Sequence, residues 1–338
     1  MIFITGATGL VGSHLLHSLL KNGMDVRAIV YNQKSIERTR KIFRALGSDP
    51  NELLSRVEWV EGDVLDVVML EEAMKGVDHV YHCAAIVSFD PRDWNMMMKV
   101  NVEGTANVVN AALLTGVKKL CYVSSIAALG RSEDSKIIDE TSEWKNTPYN
   151  SRYSKSKFLA EKEVWRASAE GLPVIIVNPA IILGYGHPEK GSTRMFRTLY
   201  KNSLFYGKGT NSFVDVEDVT KAMILLMKSE IENERFVLAA GNYSYKKIFS
   251  LIAKGFNKRE PRIVVPDFAL EVVWRFEALR SVLMRDKPLI TRETANTSKQ
   301  HHHYSNEKII NRLNFRFTPI EETINSICRS MESELNEN

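Results

Sequence analysis

Thr5-Gly6-Ala7-Thr8-Gly9-Leu10-Val11-Gly12 follows an apolar run over 2–5 and leads into a helical pattern over 10–21. A glycine-rich turn between a strand and a helix is the setting in which such a motif has a physical meaning. Gly6 permits the tight turn, Gly9 lets the backbone approach a pyrophosphate, and Gly12 lets the helix pack closely on the strand. Phosphate oxygens then meet the positive helix end and its unpaired N–H groups. The spacing is GxxGxxG rather than GxGxxG. Glycine triplets also occur in ordinary turns, so the weight rests on the place of this one after the first strand.

Working outward, short β-branched runs at 26–30, 57–60, 77–83, 120–123 and 174–177 alternate with helical patterns at 36–46, 67–74, 94–114 and 153–169. Repeated strand–helix–strand units predict an α/β fold, a Rossmann-type doubly wound parallel sheet covered on both faces. One more strand is expected at 236–239, and 214–228 returns to the sheet with a helix. Residues 184–191 read as a loop, and from about 232 the alternation is lost. The predicted division is a dinucleotide-binding part, 1–178 plus about 213–231, and a smaller, mostly C-terminal substrate-binding part, about 179–212 plus 232–338.

Composition narrows the function classes. The chain has 338 residues, 44% hydrophobic and 25% charged, with 45 Lys+Arg against 41 Asp+Glu. That mild balance and the lack of a long basic run argue against a nucleic-acid partner. Cys83, Cys121 and Cys328 form no CxxC, so neither zinc nor a disulfide framework is expected, and a reducing, cytoplasmic compartment fits. The strand at Ile2 leaves no room for a signal segment, and no run of eighteen apolar residues predicts an integral membrane span. Phe268, Val272, Phe276, Leu279 and Leu283 recur at helical spacing within 264–284. They predict an amphipathic helix over a core or a substrate pocket, with a membrane-surface helix as the second reading. The adjacent His301, His302 and His303 read as a surface loop rather than a metal site.

The second chemical stretch is Tyr153-Ser154-Lys155-Ser156-Lys157. Four residues apart on a helix, Tyr153 and Lys157 share a face. A lysine cation lowers a neighbouring phenol's pKa, and the phenol can then give a proton to a carbonyl or take one from an alcohol. Tyr149 has no lysine four residues on. A chance tyrosine on a surface helix is the alternative for this pair alone.

Together these stretches resemble the extended short-chain dehydrogenase/reductase family over nearly the whole chain. TGATGLVG is similar to its cofactor loop and YSKSK to its YxxSK segment. Gly62-Asp63-Val64 resembles the adenine-contacting turn, with Asp63 as hydrogen-bond partner. His82-Cys83-Ala84-Ala85 resembles the segment along the cofactor, and Asn101-Val102-Glu103-Gly104-Thr105 the Asn-x-x-Gly-Thr helix. Ser125, five residues before Gly130, falls on the catalytic serine. The resemblance implies hydride transfer between a nicotinamide and a carbonyl or alcohol carbon. Ser125 would hold the substrate oxygen, Tyr153 would be the acid/base, Lys157 would bind the ribose, and Asn101 would order a water. The implied cofactor contacts are Gly6, Thr8, Gly9, Leu10, Val11, Gly12, Asn32, Lys34, Asp63, Val64, Ala84, Ala85, Tyr153, Lys157 and Asn178. A strand-end hydroxyl at Ser124, a capping role for Asp63 and plain packing for Asn101 stay open.

Within the family, Ile175 stands where sugar-nucleotide epimerases and dehydratases carry an arginine, while Val177-Asn178-Pro179-Ala180-Ile181-Ile182-Leu183-Gly184 and Tyr304-Ser305-Asn306-Glu307-Lys308 resemble the dihydroflavonol reductase and 3β-hydroxysteroid dehydrogenase branch. A reductase of ketones or aldehydes is therefore expected. The alternatives are a sugar-nucleotide epimerase or dehydratase and a non-enzymatic NAD(P) sensor. Val30-Tyr31-Asn32-Gln33-Lys34 has no acid to bind a ribose 2′-hydroxyl, and Lys34 and Arg38 suit a 2′-phosphate, so NADP is expected over NAD. A homodimer through the helices at 94–114 and 153–169, with Met96, Met97 and Met98 as contacts, is also implied.

Overall fold

The computed structural model describes residues 1–130, 137–147, 150–187, 191–284, 286–288 and 290–336. In chain order its first part runs β1 (Ile2–Thr5), α1 (Leu10–Lys21), β2 (Val26–Val30), α2 (Ile36–Ala45), α3 (Pro50–Leu54), β3 (Val57–Glu61), α4 (Val67–Ala73), β4 (His79–His82), α5 (Trp94–Met97), α6 (Gly104–Thr115), β5 (Lys119–Val123), α7 (Arg152–Ala169) and β6 (Val174–Pro179). A π-helical stretch, Met98–Glu103, joins α5 to α6. The second part holds β7 (Ile181–Leu183), α8 (Thr193–Tyr200), β8 (Phe205–Tyr206), β9 (Thr210–Asp215), α9 (Val216–Lys228), β10 (Glu234–Leu238), β11 (Gly241–Ser244), α10 (Tyr245–Gly255), β12 (Ile263–Val264), α11 (Asp267–Leu283), α12 (Arg292–Thr297), α13 (Glu307–Leu313) and α14 (Ile320–Asn336).

Seven strands form one sheet in the order β10-β6-β5-β4-β1-β2-β3, every pair parallel. Along β1 the side chains alternate: Ile2 and Ile4 join the core on one face, Phe3 the core on the other. Val174 and Ile176 part from Ile175 and Val177 in the same way on β6. Both faces are thus dry, which explains why these strands read as unbroken apolar runs. Full burial of a residue such as Phe3 or Leu16 contributes roughly 1.5–3 kcal/mol. The strand order reverses at β1, between β2 and β4, and the crevice beyond the carboxyl ends of those strands is the expected ligand position.

Helix starts are set locally. Asp66 caps α4, Ser151 caps α7 and Asp215 caps α9, each accepting a hydrogen bond from a first-turn N–H. Gly116 ends α6 at φ +75°, the left-handed conformation that closes many helices.

Two differences from the sequence expectations concern the second part. Strand β10 joins the large sheet beside β6, although the sequence division places 232 onward in the smaller part. Alternation fails there because β7, β9 and β11 form a separate three-stranded sheet, with its own core of Phe196, Phe213, Ile248, Ile252, Ile324 and Met331. The helix expected over 264–284 exists as α11, but of its residues only Leu270 and Ser281 are buried. Its apolar stripe faces outward, not onto a core. Of the loop read at 184–191, residues 188–190 lie outside the described residues.

Candidate active site

The glycine loop is built from backbone. At Gly6 φ is +68°, and a Cβ there would stand 2.6 Å from the Ala84 nitrogen. At Gly12 a Cβ would stand 2.1 Å from the Gly6 carbonyl oxygen. Gly9 is different: it is exposed, and a Cβ would meet only the Gly6 oxygen, at 3.3 Å. It is the N-cap of α1 and brings no side-chain bond. The first bond of the helix runs from Ser13 N to Gly9 O, 2.9 Å, so the N–H groups of Leu10, Val11 and Gly12 precede it. Open space before a bare helix N-terminus fits a pyrophosphate.

Beside it, at the end of β2, Tyr31, Asn32 and Lys34 are exposed. The Asn32 side chain accepts from Lys34 N at 2.9 Å and so fixes the turn. Arg38 Nε is buried and makes no hydrogen bond. A carboxylate on the neighbouring strand is near: Glu61 on β3 accepts from Gln33 Nε2 at 3.2 Å, a charge not visible from β2 alone. Asp63 Oδ1 accepts from Leu65 N at 3.1 Å, and Val64 is buried against Gly104, where a Cβ would stand 2.6 Å from its Cγ2.

Behind the loop lies a buried polar network. Thr105 Oγ1 donates to Asn101 O at 2.5 Å, so it accepts from His82 Nε2, 2.9 Å away. His82 Nδ1 is then the acceptor and takes the Thr5 hydroxyl proton at 2.6 Å, which leaves Thr5 Oγ1 to accept from Ala84 N at 3.2 Å. Every proton in this series has one place to go. Burial, helped by the Lys157 cation, lowers the His82 imidazole to about 3, so it is neutral at physiological pH. Asn101 lies in the π-helical stretch, a local widening often found at functional sites. Its Oδ1 accepts from Ile86 N at 2.7 Å, and its Nδ2 donates to Ile86 O and to Ser156 Oγ, each at 3.0 Å. The Asn101 side chain therefore clamps the backbone just after Ala84 and Ala85.

Ser125, Tyr153 and Lys157 converge at the carboxyl end of β5. Ser124 and Ser125 are told apart by their bonds. Ser124 Oγ is buried and donates to Glu161 Oε2 at 2.6 Å. Ser125, partly exposed, accepts from Ala127 N at 3.1 Å, and its hydroxyl is close enough to the Tyr153 phenol to pull its pKa down. The Tyr153 ring meets Phe89 edge-on, centroids 5.9 Å apart. Lys157 is 1% exposed and donates to Tyr122 Oη at 2.7 Å and to Val123 O at 2.8 Å. A lysine ammonium has three donors, so one remains. Burial pulls Lys157 down to about 7, against the opposing pull of Glu161.

The expected tuning of Tyr153 by Lys157 is not what this geometry gives. Burial raises the Tyr153 phenol, partly offset by the neighbouring Ser125 hydroxyl, while the lysine is held by Tyr122 and Val123. Tyr122, fully buried, is itself raised well above the usual phenol range by burial and by the Glu161 charge.

Glu161, one turn beyond Lys157, joins the ends of β5 and β6 to the edge strand. Its Oε2 accepts from Ser124 and from Asn178 Nδ2 at 2.9 Å, and its Oε1 from Arg235 on β10 at 3.0 Å. Asn178 Nδ2 also donates to Ser125 O at 3.0 Å, and Asn178 Oδ1 is buried with no partner. Deleting one member of a buried ion pair costs on the order of 3–5 kcal/mol, because the other charge is stranded.

Of the sequence-predicted residues, the structure sets Gly6 against Ala84 and brings Ser125, Tyr153 and Lys157 to the end of β5. Thr5, Tyr122, Glu161 and Arg235 were not singled out. Glu161 at four after Lys157 carried a readable signal; Arg235 carried none, since it meets the site only through sheet topology. Among the described residues no group of three or more His, Cys, Asp or Glu is placed to hold a metal. Tyr149, the other tyrosine considered, lies outside the described residues.

Known proteins are similar to this chain in sequence and fold. A putative dihydroflavonol 4-reductase of Synechocystis sp. is 27% identical over 95% of this chain and 92% of that protein. Cinnamoyl-CoA reductase 1 of Petunia hybrida is 26% identical, covering 98% and 92%. The crystal structure of gox2253 superposes with a TM-score of 0.80 at 28% identity, covering 99% of this chain and 98% of that one. UDP-glucose 4-epimerase of Thermotoga maritima, at 18% identity and a TM-score of 0.77 over 99% of each chain, shares the fold. The profile of the NAD dependent epimerase/dehydratase family matches residues 2–239, and the chain belongs to that family.

Proposed function

We propose that this protein is an NADPH-preferring oxidoreductase that reduces a ketone or aldehyde. The observation that carries the reading is the neighbouring pair of hydroxyls, Ser125 and Tyr153, with buried Lys157 one helical turn from Tyr153. Relatives named as reductases support it, at 26–27% identity over almost the whole chain.

Gly6, Thr8, Gly9, Leu10, Val11 and Gly12 hold the pyrophosphate of the cofactor, Asp63 and Val64 its adenine, and Asn32, Lys34 and Arg38 its adenosine ribose. The segment at Ala84 and Ala85 lies along it, kept in place by the Asn101 clamp. Lys157 turns its remaining donor to the nicotinamide ribose. When bound, the reduced nicotinamide supplies the hydride. Ser125 and Tyr153 both bond the substrate oxygen. The raised Tyr153 pKa keeps the phenol protonated, as a proton donor to a developing alkoxide requires. Asn178 holds the Ser125 backbone from behind.

The substrate pocket belongs to the smaller part, about 179–212 plus 232–338 apart from β10. The protein works in the cytoplasm as a homodimer through α5–α6 and α7. Of the three methionines expected there, Met96 is outward and 52% exposed, whereas Met97 is in the core and is no contact.

The test is net NADPH oxidation with a panel of ketones and aldehydes, set against UDP-sugars. Consumption of NADPH with a carbonyl compound is expected. Conversion of a UDP-sugar without net change of cofactor would instead mean the epimerase or dehydratase reading. Tyr153→Phe keeps the ring and should leave fold and cofactor affinity intact while turnover falls roughly two to four orders of magnitude. A variant as fast as the parent would sink the assignment.

A further inference from the structure

Helix α11 turns its apolar side to solvent. Phe268 (74% exposed), Val272 (64%), Phe276 (66%), Leu279 (60%) and Leu283 (73%) recur every three or four residues, so they lie along one face. Beside them the β8–β12 pair adds exposed Phe205, Ile263 and Val264. A contiguous apolar face of this extent is unusual on a soluble monomer and marks a contact surface.

The charge next to it identifies what it contacts. Lys246, Lys254, Lys258, Arg259 and Arg262 line a cleft of about 510 Å³ with one carboxylate, Glu260. The chain passes from this cleft directly into β12 and then α11, so cleft and apolar strip are continuous. The acids of α11 are already matched: Asp267 by Lys208, Glu271 by Arg275 and Lys299, Glu277 by Arg280. The excess positive charge is therefore in the cleft. Seventeen residues make a helix about 25 Å long, and no described helix is long and apolar enough to cross a membrane. Such a helix lies along a surface.

We propose that α11 and the β8–β12 strip seat the protein on an anionic lipid bilayer, the apolar stripe entering the interface and the Lys246–Arg262 cleft taking lipid phosphate. A second copy of the chain fits this face less well. A two-fold contact presents the same surface twice, bringing one basic cleft toward another. The far end of α11 is tied to the flank of the candidate active site, since Arg92 donates to Asp286 O and Lys287 pairs with Asp93. Seating the helix therefore sets that flank near the bilayer. The inference does not rest on the reductase reading.

The experiment is sedimentation of the full chain with phosphatidylcholine vesicles, with and without about 30% phosphatidylglycerol, an anionic lipid. Binding to the anionic vesicles is expected, weakening as salt is raised. Taking one exposed Phe or Leu side chain out of water changes a partition constant by roughly tenfold or more. The double variant Phe276→Glu with Leu279→Glu should accordingly lose at least about a hundredfold in binding. Lys258→Glu with Arg259→Glu should abolish the preference for phosphatidylglycerol. None of the four is among the residues assigned to the cofactor, and an unchanged cofactor titration confirms folding. No binding of the parent chain to either vesicle overturns the proposal, as does binding that survives Phe276→Glu with Leu279→Glu. A dimer split by that double variant, with no vesicle binding by the parent, assigns the face to a second copy and overturns it equally.

Discussion

The glycine loop and the network behind it use side chains in opposite ways. From Gly6 to Gly12 the site is made by leaving side chains out, so that backbone approaches backbone at Gly6 and Gly12 and an open N-terminus is left at Gly9. Behind it, Thr5, His82, Thr105, Tyr122 and Lys157 fill a dry interior with side chains whose hydrogen bonds are ordered one after another. The loop depends on shape and leaves no room for an added atom at Gly6 or Gly12. The network depends on protonation state, each hydroxyl and ring nitrogen taking the one role its neighbours leave it. Each therefore fails by a different route, and substitutions can separate the two.

The largest effect on cofactor binding is expected at Gly12. In Gly12→Ala the new Cβ meets only backbone atoms, Gly6 O at 2.1 Å, Gly6 C at 2.7 Å and Ala7 Cα at 2.9 Å. No flexible side chain can move aside, so α1 must separate from β1, an overpacking that costs roughly 1–3 kcal/mol or more. Thermal stability should fall and cofactor affinity should drop at least about a hundredfold, the equivalent of 2.7 kcal/mol. Gly9→Ala is the control. Its Cβ touches only the Gly6 oxygen at 3.3 Å, so the free protein should melt almost normally while affinity still falls, because the methyl occupies the cofactor's side of the turn. If Gly12→Ala binds and melts like the parent, close packing of backbone is not what the loop requires.

The network is tested by acid. The His82 imidazole is about 3 in the folded chain against an ordinary 6.5, so between those values the unfolded chain binds the extra proton. Its contribution to stability is complete above 6.5 and is lost as pH falls through about 3, by at most about 5 kcal/mol. Denaturant unfolding of the parent and of His82→Phe, followed from pH 7 downward, isolates it. The variant should begin less stable, with Thr5 and Thr105 robbed of their partner, and should lose less as pH falls. Parallel curves for the two proteins would show that His82 is not the group that titrates.

This contrast also explains what was legible in the sequence. The loop is local: eight consecutive residues state both the turn and its ligand, and Tyr153 and Lys157 are one helical turn apart. The parallel sheet was readable because strands dry on both faces are continuous apolar runs. Arg235 was not readable, because β10 reaches Glu161 only after the chain has left the sheet and returned. Nor was the grip of Tyr122 on Lys157, since alternation along β5 says that Tyr122 is buried but not what it touches. For α11 the period was right and the side was wrong. A helical stripe of apolar residues states that a face will be covered, not by what.

The smallest effect concerns cofactor choice, where the loop meets solvent. Lys34 is exposed, and an exposed charge acting on a phosphate is weakened by water and salt. Arg38 is placed differently, with Nε buried and without a partner, so a 2′-phosphate would satisfy a donor that otherwise goes unmet. Glu61 stands on β3 within reach of Gln33, a negative charge that would repel a 2′-phosphate. NADPH should bind more tightly than NADH. Lys34→Ala should weaken NADPH by about tenfold or less, an effect that fades at high salt, and should leave NADH unchanged. Arg38→Ala should weaken NADPH more, with less dependence on salt, because its donor is shielded. Dissociation constants for both cofactors at two salt concentrations decide it. Tighter binding of NADH by the parent chain would mean that Glu61, and not the cations, governs the end of the second strand.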